Sequence, residues 1–311
     1  MIRSLVTGGA GFIGGHIVRF LVSIDHVVDV VDNLHTGDMR NVPQKANFHK
    51  LDVGNDSLDF LFCKPYDFIF HFAGQSSVEL SFQDPLYDLD TNVRSSLKLF
   101  NLCKSMSPFS HIFYASSMSV YGALGTFPKD ELSELQGKNF YAVGKKLTEE
   151  YASIFCDLGL RITCLRFFNI YGPGQNLENL SQGMVSIYLA QALLTNQIVV
   201  KGSLQRTRDF VFISDVISAI SSLMNNHNSF SKTINICSGI EHSVSDVISV
   251  INSILPSPVP VIASENTIGD ISRMLGSNSL LFDIIKRLEF VPLREGILKM
   301  YSSYLDGTYY E

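Results

Sequence analysis

The sequence predicts a doubly wound α/β fold, a parallel sheet with helices on both faces, followed by a smaller α/β domain. Three observations carry this. Short β-branched runs alternate with amphipathic stretches through the first half, a glycine-rich segment separates the first run from the first amphipathic stretch, and the alternation weakens after about residue 168. With 311 residues, 46% of them apolar, the chain is long enough for two domains and a large core.

Strand-like runs occur at 2–7, 27–31, 48–51, 68–72, 111–115 and 162–166, with helix-like stretches near 12–23, 55–63, 89–105 and 140–158. Six apolar strands joined by helical crossovers imply parallel neighbours, and the crossovers cover both faces of the sheet. Tyr171-Gly172-Pro173-Gly174 is a turn cluster at which the chain leaves that sheet. A strand at 209–213, a helix start at Ser214 and Asp215 and a strand at 233–236 then read as a return. The expected first domain is therefore 1–168 plus about 209–237, and the expected second domain is about 169–208 and 238–311.

Composition narrows the partners. The formal net charge is −6, with no basic stripe to neutralise a phosphate backbone, so no nucleic acid is expected and any anionic ligand must be met locally. Cys63, Cys103, Cys156, Cys164 and Cys237 are odd in number and scattered, which fits neither a disulfide framework nor a zinc site, and a reducing cytoplasm is the expected location. No metal is expected. The N-terminal apolar run breaks early into Thr7-Gly8-Gly9, unlike a signal peptide, and no stretch reaches the roughly 18 apolar residues of a membrane span.

Gly8-Gly9-Ala10-Gly11-Phe12-Ile13-Gly14 follows the first strand and opens the first helix. Glycines there allow a tight turn and close backbone approach to a pyrophosphate, whose charge is met by free N–H groups at a helix N-terminus. An ordinary glycine-rich loop shares this spacing, so context decides. Asp32 ends the second strand, where a carboxylate accepts both ribose hydroxyls of an adenosine and repels a 2′-phosphate; with no Arg at 33–37, NAD is preferred to NADP. An Asp32 that only caps a turn is the competing reading. Asp52, just after the third strand, reaches the adenine by similar logic.

Tyr141 and Lys145 form an i,i+4 pair on one helix face. A phenol is a poor base at neutral pH, and an ammonium beside it, together with a positive nicotinamide ring, favours the phenolate. Surface packing explains a lone Y-x-x-x-K equally well. Upstream, Ser116, Ser117 and Ser119 lie at the C-terminal end of the fifth strand, the ligand-facing edge of an open α/β sheet, where a hydroxyl can bond the oxygen that Tyr141 deprotonates. A serine-rich loop bonding its own backbone is the alternative.

With these motifs the chain resembles the extended short-chain dehydrogenase/reductase superfamily, in its nucleotide-sugar epimerase/dehydratase branch. The likeness extends through Val31-Asp32-Asn33-Leu34, Leu51-Asp52-Val53, His71-Phe72-Ala73-Gly74, Thr91-Asn92-Val93, Ser116 to Gly122, Leu165-Arg166-Phe167-Phe168-Asn169 with the turn after it, and Arg208-Asp209-Phe210 with the residues that follow. It implies a Rossmann-type NAD-binding domain, a nucleotide-sugar substrate, with UDP the commonest nucleotide, and a homodimer joined through the helices near 89–105 and 140–158. Ser117, Tyr141 and Lys145 match the catalytic set. Cofactor contacts fall at Gly8, Gly11, Phe12, Ile13 and Gly14, at Asp32, Asn33, Asp52 and Val53, and at Phe72, Ala73, Gly74, Asn92 and Phe168, besides Tyr141 and Lys145. Ser117, Asn169, Arg208 and Arg273 match substrate contacts, Arg208 as a diphosphate clamp suited to guanidinium geometry.

Departures from the branch sharpen the reaction. Members that eliminate water carry an Asp-Glu pair directly after the catalytic Thr, and the decarboxylases also place a Glu at the second position; Met118 and Ser119 stand there, and neither shuttles protons as a carboxyl does. The implied reaction is 4-epimerisation through a transient 4-keto sugar, of a UDP-hexose or UDP-N-acetylhexosamine. A nucleotide-sugar 4-keto reductase, or another oxidoreductase of this fold, is the alternative, and a non-catalytic dinucleotide-binding regulator a third. Other departures are Gln75-Ser76-Ser77 where a cofactor-contacting Lys is frequent, Lys201 where an aromatic is frequent, and Thr267 where an Arg is frequent. Met274 is either a wall of the sugar site or core packing.

Overall fold

A computed structural model of the chain describes residues 1–178, 183–264 and 271–308. The chain divides into two compact units. Met1–Val120, Asn139–Arg166 and Ile220–Ile234 make the first; Tyr121–Lys138, Phe167–Ala219 and Asn235–Glu311 make the second.

In chain order the strands among the described residues are β1 (Arg3–Thr7), β2 (Val27–Asp32), β3 (Asn47–Lys50), β4 (Phe68–His71), β5 (His111–Ser117), β6 (Arg161–Phe167), β7 (Asn169–Tyr171), β8 (Ile198–Lys201), β9 (Thr207–Phe212), β10 (Thr233–Ile236), β11 (Glu241–Ser243) and β12 (Val261–Ser264). The helices are α1 (Phe12–Ser23), α2 (Val78–Gln83), α3 (Pro85–Leu89), α4 (Ser95–Met106), α5 (Phe140–Asp157), α6 (Met184–Thr195), α7 (Ile213–Met224), α8 (Val244–Ile254), α9 (Ser279–Ile284) and α10 (Leu293–Leu305).

A seven-stranded sheet runs β10-β6-β5-β4-β1-β2-β3, with β1 parallel to β2 and β4, β2 to β3 and β4 to β5. Burial is nearly continuous along β1, β2 and β6, as expected of strands covered on both faces. Leu5, Ile69, Ile112 and Ile162, on four of its strands, share one core cluster with Phe100 and Cys103 of α4. This is the doubly wound Rossmann-type architecture read from the sequence. The strand order reverses between β1 and β4, and Thr7 sits level with both Val31 and His71, so three strands end together at the switch point. In open α/β sheets the crevice beyond those ends receives the ligand.

Three elements differ from expectation. The helix read at 55–63 is only a 3-10 turn, Asp59–Cys63. Leu58, Leu61 and Phe62 are buried at helical spacing, but Pro65 forces Lys64 into extended backbone and ends the turn. The helix read from residue 89 begins earlier, as α2 and α3, and passes through a π turn at Asp90–Arg94 into α4. Asp84 caps α3 by accepting from the Tyr87 N–H at 2.9 Å. The strand expected at 209–213 forms as β9 but does not join the large sheet: it lies between β7 and β11 in a separate three-stranded sheet, and β10 alone returns. The Asp209 carboxylate explains this, accepting from the N–H groups of Ser238 and Gly239 and from Ser238 Oγ, all within the second unit. A parallel pair, β8 with β12, completes the second unit's strands. Among the described residues no helix is long and apolar enough to cross a membrane.

Candidate active site

The first unit builds its site at the switch point. Gly8 adopts a φ of +71°, and a Cβ there would stand 2.5 Å from the Ala73 nitrogen, so the glycine loop and the Phe72-Ala73 loop pass backbone against backbone. His71 secures this contact from below: Nδ1 lies 2.7 Å from Thr7 Oγ1 and Nε2 2.9 Å from Ser96 Oγ, while Ala73 N–H donates to the same Thr7 hydroxyl at 3.3 Å. Burial pushes the His71 pKa down to about 3, so the ring is a neutral strut.

Gly11 is the N-cap of α1, with no side-chain cap and no acidic residue in the first turn, which leaves the helix N-terminus open to an anion. Phe12, Ile13 and Gly14 form that turn. Asp32, buried at the end of β2, accepts the Ala10 N–H at 3.0 Å and the Leu34 N–H at 2.8 Å; burial raises its pKa against these two bonds. Each carboxylate oxygen keeps a lone pair for another donor. Asn33 Nδ2 donates to Asp52 Oδ2 at 3.0 Å, and Asp52 Oδ1 accepts from Gly54 and Asn55. Val53 places its side chain in the core. Asn92, presented by the π turn, donates from Nδ2 to Gln75 O at 3.0 Å and to Asp88 Oδ1 at 3.1 Å, while its Oδ1 is buried with no partner. A Cβ on Gly74 would lie 2.6 Å from that oxygen and 3.6 Å from Lys145 Nζ, so Gly74, Asn92 and Lys145 converge.

Asn139 caps α5 by accepting the Ala142 N–H at 2.8 Å, which sets Tyr141 in the first turn. Ser117, at the end of β5, lies near enough to the Tyr141 hydroxyl to favour its phenolate. Lys145 Nζ donates to Ala115 O at 2.8 Å and lies 5.7 Å from the Tyr141 ring centroid. Burial pushes Tyr141 up to about 12; the nearby Ser117 hydroxyl works against it and the Asp88 charge adds to it. Burial also brings Lys145 down to about 8, opposed by Asp88 and Glu149. The sequence reading expected the lysine to lower the phenol. In the protein alone desolvation outweighs such help, and the favourable contribution comes from Ser117.

In the second unit, Phe168 is buried, its N–H donating to Ile236 O at 3.1 Å. Asn169 Nδ2 donates to Asp209 O at 2.9 Å. Arg208 is buried on β9, with Nη1 on Thr207 O at 2.8 Å. Arg273 forms a fork with Glu241, Nε to Oε1 at 2.7 Å and Nη2 to Oε2 at 2.8 Å, with Phe127 beneath its guanidinium. Met274 is fully buried, as core packing requires. The reading at Thr267 lies outside the described residues. Sequence reasoning gave no role to Asp88, Glu149 or Arg166; Arg166 stood within a quoted motif, and Glu149 carried a signal as the next same-face position after Tyr141 and Lys145.

Residues 4–237 match the model of the NAD dependent epimerase/dehydratase family. The chain belongs to this family. A Methanocaldococcus jannaschii protein provisionally named a UDP-glucose 4-epimerase is 33% identical over 249 residues, 79% of this chain and 80% of that one. The UDP-glucuronic acid decarboxylase 1 of Xenopus tropicalis is 30% identical over 78% of this chain and 58% of its own length. A crystal structure of the Thermotoga maritima UDP-glucose 4-epimerase with UDP-glucose superposes with a TM-score of 0.91 at 27% identity, covering 99% of each chain.

The family's dependence on NAD agrees with the geometry. The uncapped N-terminus of α1, the two-oxygen acceptor Asp32 and the unpartnered Asn92 Oδ1 beside Lys145 fit a diphosphate, an adenosine ribose and the polar rim of a nicotinamide riboside in turn. As an epimerase/dehydratase family member, the protein is an enzyme that acts on nucleotide-sugars.

Proposed function

We propose that the protein is an NAD-dependent nucleotide-sugar 4-epimerase whose substrate is a UDP-hexose or UDP-N-acetylhexosamine. The observation that carries this reading is the Ser117–Tyr141–Lys145 set with Met118 and Ser119 after it. A phenol, a hydroxyl and an ammonium converge, and the two positions that hold carboxyl groups in the dehydratase pattern, and the one in the decarboxylase pattern, hold none. The Thermotoga structure with UDP-glucose supports UDP as the nucleotide.

NAD, when bound, supplies reversible hydride acceptance at the sugar C4. Tyr141 Oη takes the proton of the 4-hydroxyl and returns it at the end of the cycle. Ser117 Oγ donates to the same sugar oxygen and steadies it as it becomes a carbonyl. Lys145 spends one proton on Ala115 O and keeps two for ribose hydroxyls, its charge favouring the phenolate. Asp32 takes the adenosine ribose and the α1 N-terminus the diphosphate, with Phe72, Ala73 and Gly74 alongside. In the second unit Arg208 clamps the substrate diphosphate, with Asn169 and Arg273 as further contacts. Inversion requires only that the 4-keto sugar present its other face.

This reading includes a homodimer through α4 and α5, where α5 exposes Phe140, Val143 and Ile154, and a cytoplasmic location that keeps the five thiols reduced. The test is a panel of UDP-hexoses and UDP-N-acetylhexosamines, with product analysis. Formation of the C4 epimer without net accumulation of reduced nicotinamide is expected. Stoichiometric consumption of NAD(P)H by a 4-keto sugar would instead identify a reductase.

A further inference from the structure

Helix α5 presents Tyr141, Lys145 and Glu149 on successive turns of one face. The first two have proposed roles; Glu149 has none. It is 8% exposed, and its carboxylate takes the fork of Arg166, itself 4% exposed on β6, with Nε 3.0 Å from Oε1 and Nη2 2.7 Å from Oε2. A buried ion pair of this kind is a weak source of stability, because desolvation offsets most of the attraction. What it accomplishes here is geometric. With both oxygens held by a rigid guanidinium, Glu149 keeps one orientation. In that orientation Oε1 also accepts from Ser116 Oγ, the residue next to Ser117.

The end of β5 is thereby tied to α5 at two consecutive residues, Ala115 O to Lys145 and Ser116 Oγ to Glu149, and Ser117 follows directly, near the Tyr141 hydroxyl. Lys145 and Ser117 are groups that the proposed reaction engages. The Ser116 tie is turned into the protein and bonded to a pair that is itself buried, so it holds its place whatever its neighbours do.

We propose that Glu149, fixed by Arg166, is a positioning residue that anchors Ser116 and thereby aims the Ser117 hydroxyl at Tyr141. The proposal rests on the roles given to Ser117 and Tyr141, but its test does not require that the sugar be known. Protein carrying carbon-13 at the phenolic carbon of tyrosine reports the hydrogen bonding of each phenol; the Tyr141 resonance is identified by its absence in Tyr141→Phe, and Ser117→Ala shows how far it moves when its partner is lost. In Ser116→Ala, which deletes one small buried hydroxyl, the resonance is expected to move in the same direction. Turnover is expected to fall about tenfold with KM changed less than about twofold, as a misaimed catalytic group predicts. Glu149→Gln is expected to do the same at a lower melting temperature. A Tyr141 resonance at its wild-type position in Ser116→Ala overturns the proposal, as does wild-type turnover in that variant; a lower melting temperature with both unchanged would mark the cluster as purely structural. Should Glu149→Gln fail to fold, Ser116→Ala decides alone. Should the wild type turn over no nucleotide-sugar, the proposed function fails while the resonance still decides the positioning role.

Discussion

The ammonium of Lys145 donates to the carbonyl of Ala115 at 2.8 Å from a site where burial brings its pKa down to about 8. A lysine so depressed withholds stability at neutral pH. Its contribution is complete above the unfolded value near 10.5 and is lost as pH falls through about 8. Lys145→Met, of similar length and uncharged, is therefore expected to be inactive yet more resistant to urea than the wild type below pH 8, with the two converging at higher pH. Denaturant melts across that range, paired with assays of nucleotide-sugar turnover, check both halves.

Tyr141→Phe removes the proposed proton carrier and leaves the ring packing. Turnover is expected to fall by about 10²- to 10⁴-fold, the usual worth of a general acid–base group, with NAD binding within about twofold of wild type. Ser117→Ala is expected to lose less, because it removes a hydrogen bond while the phenol remains. Steady-state kinetics and a cofactor-binding titration separate the two.

His71 makes the fold acid-sensitive. Its ring is neutral in the folded protein down to about pH 3 and titrates near 6.5 when unfolded, so the stability it confers is complete above 6.5 and drains away as pH falls toward 3. The slope from one such group is about 1.4 kcal/mol per pH unit. His71→Gln is expected to reduce the wild-type slope by that amount between these limits. His111, buried with the same depressed pKa, keeps its own share. Urea melts at several acidic pH values measure the slope.

Arg208 and Arg273 are expected to differ as nucleotide contacts. Arg273 is exposed with its fork occupied by Glu241, whereas Arg208 is buried on β9, where a charge is less screened. Calorimetry with UDP is expected to show Arg208→Met weakening binding about tenfold or more, the worth of one charge-assisted hydrogen bond, and Arg273→Met by a few-fold at most.

Gly8→Ala tests the loop crossing. The new methyl would stand 2.5 Å from the Ala73 nitrogen at a φ that side chains avoid, so a loss of about 2 kcal/mol or more is expected, with cofactor binding reduced in parallel. Thermal melts with and without NAD check this.

The large sheet was legible because strands buried on both faces are written as unbroken apolar runs, and the glycine loop because its crossing excludes every other residue. The 3-10 turn at 59–63 misled because three apolar residues at helical spacing look alike in a turn and in a helix, and only Pro65 separates them. The placement of β9 depends on what Asp209 bonds about thirty residues later, which no local pattern records. The same holds for the site. Tyr141 and Lys145 were visible at i,i+4, while the pairing of Arg273 with Glu241 and of Glu149 with Arg166 joins segments distant in sequence. The rise of the Tyr141 phenol in the protein alone was not legible, because a charge partner can be guessed from spacing and desolvation cannot.

The last strand of the large sheet, β10, is supplied by residues 233–236, after much of the second unit has been synthesised. Until the ribosome has released that stretch, β6 is a bare edge offering unpaired amides to any neighbouring nascent chain. The cofactor domain is therefore completed only by a segment that follows much of the second unit. A shortened product ending near residue 220 would carry every group named in the proposed catalysis within the first unit, yet it should aggregate.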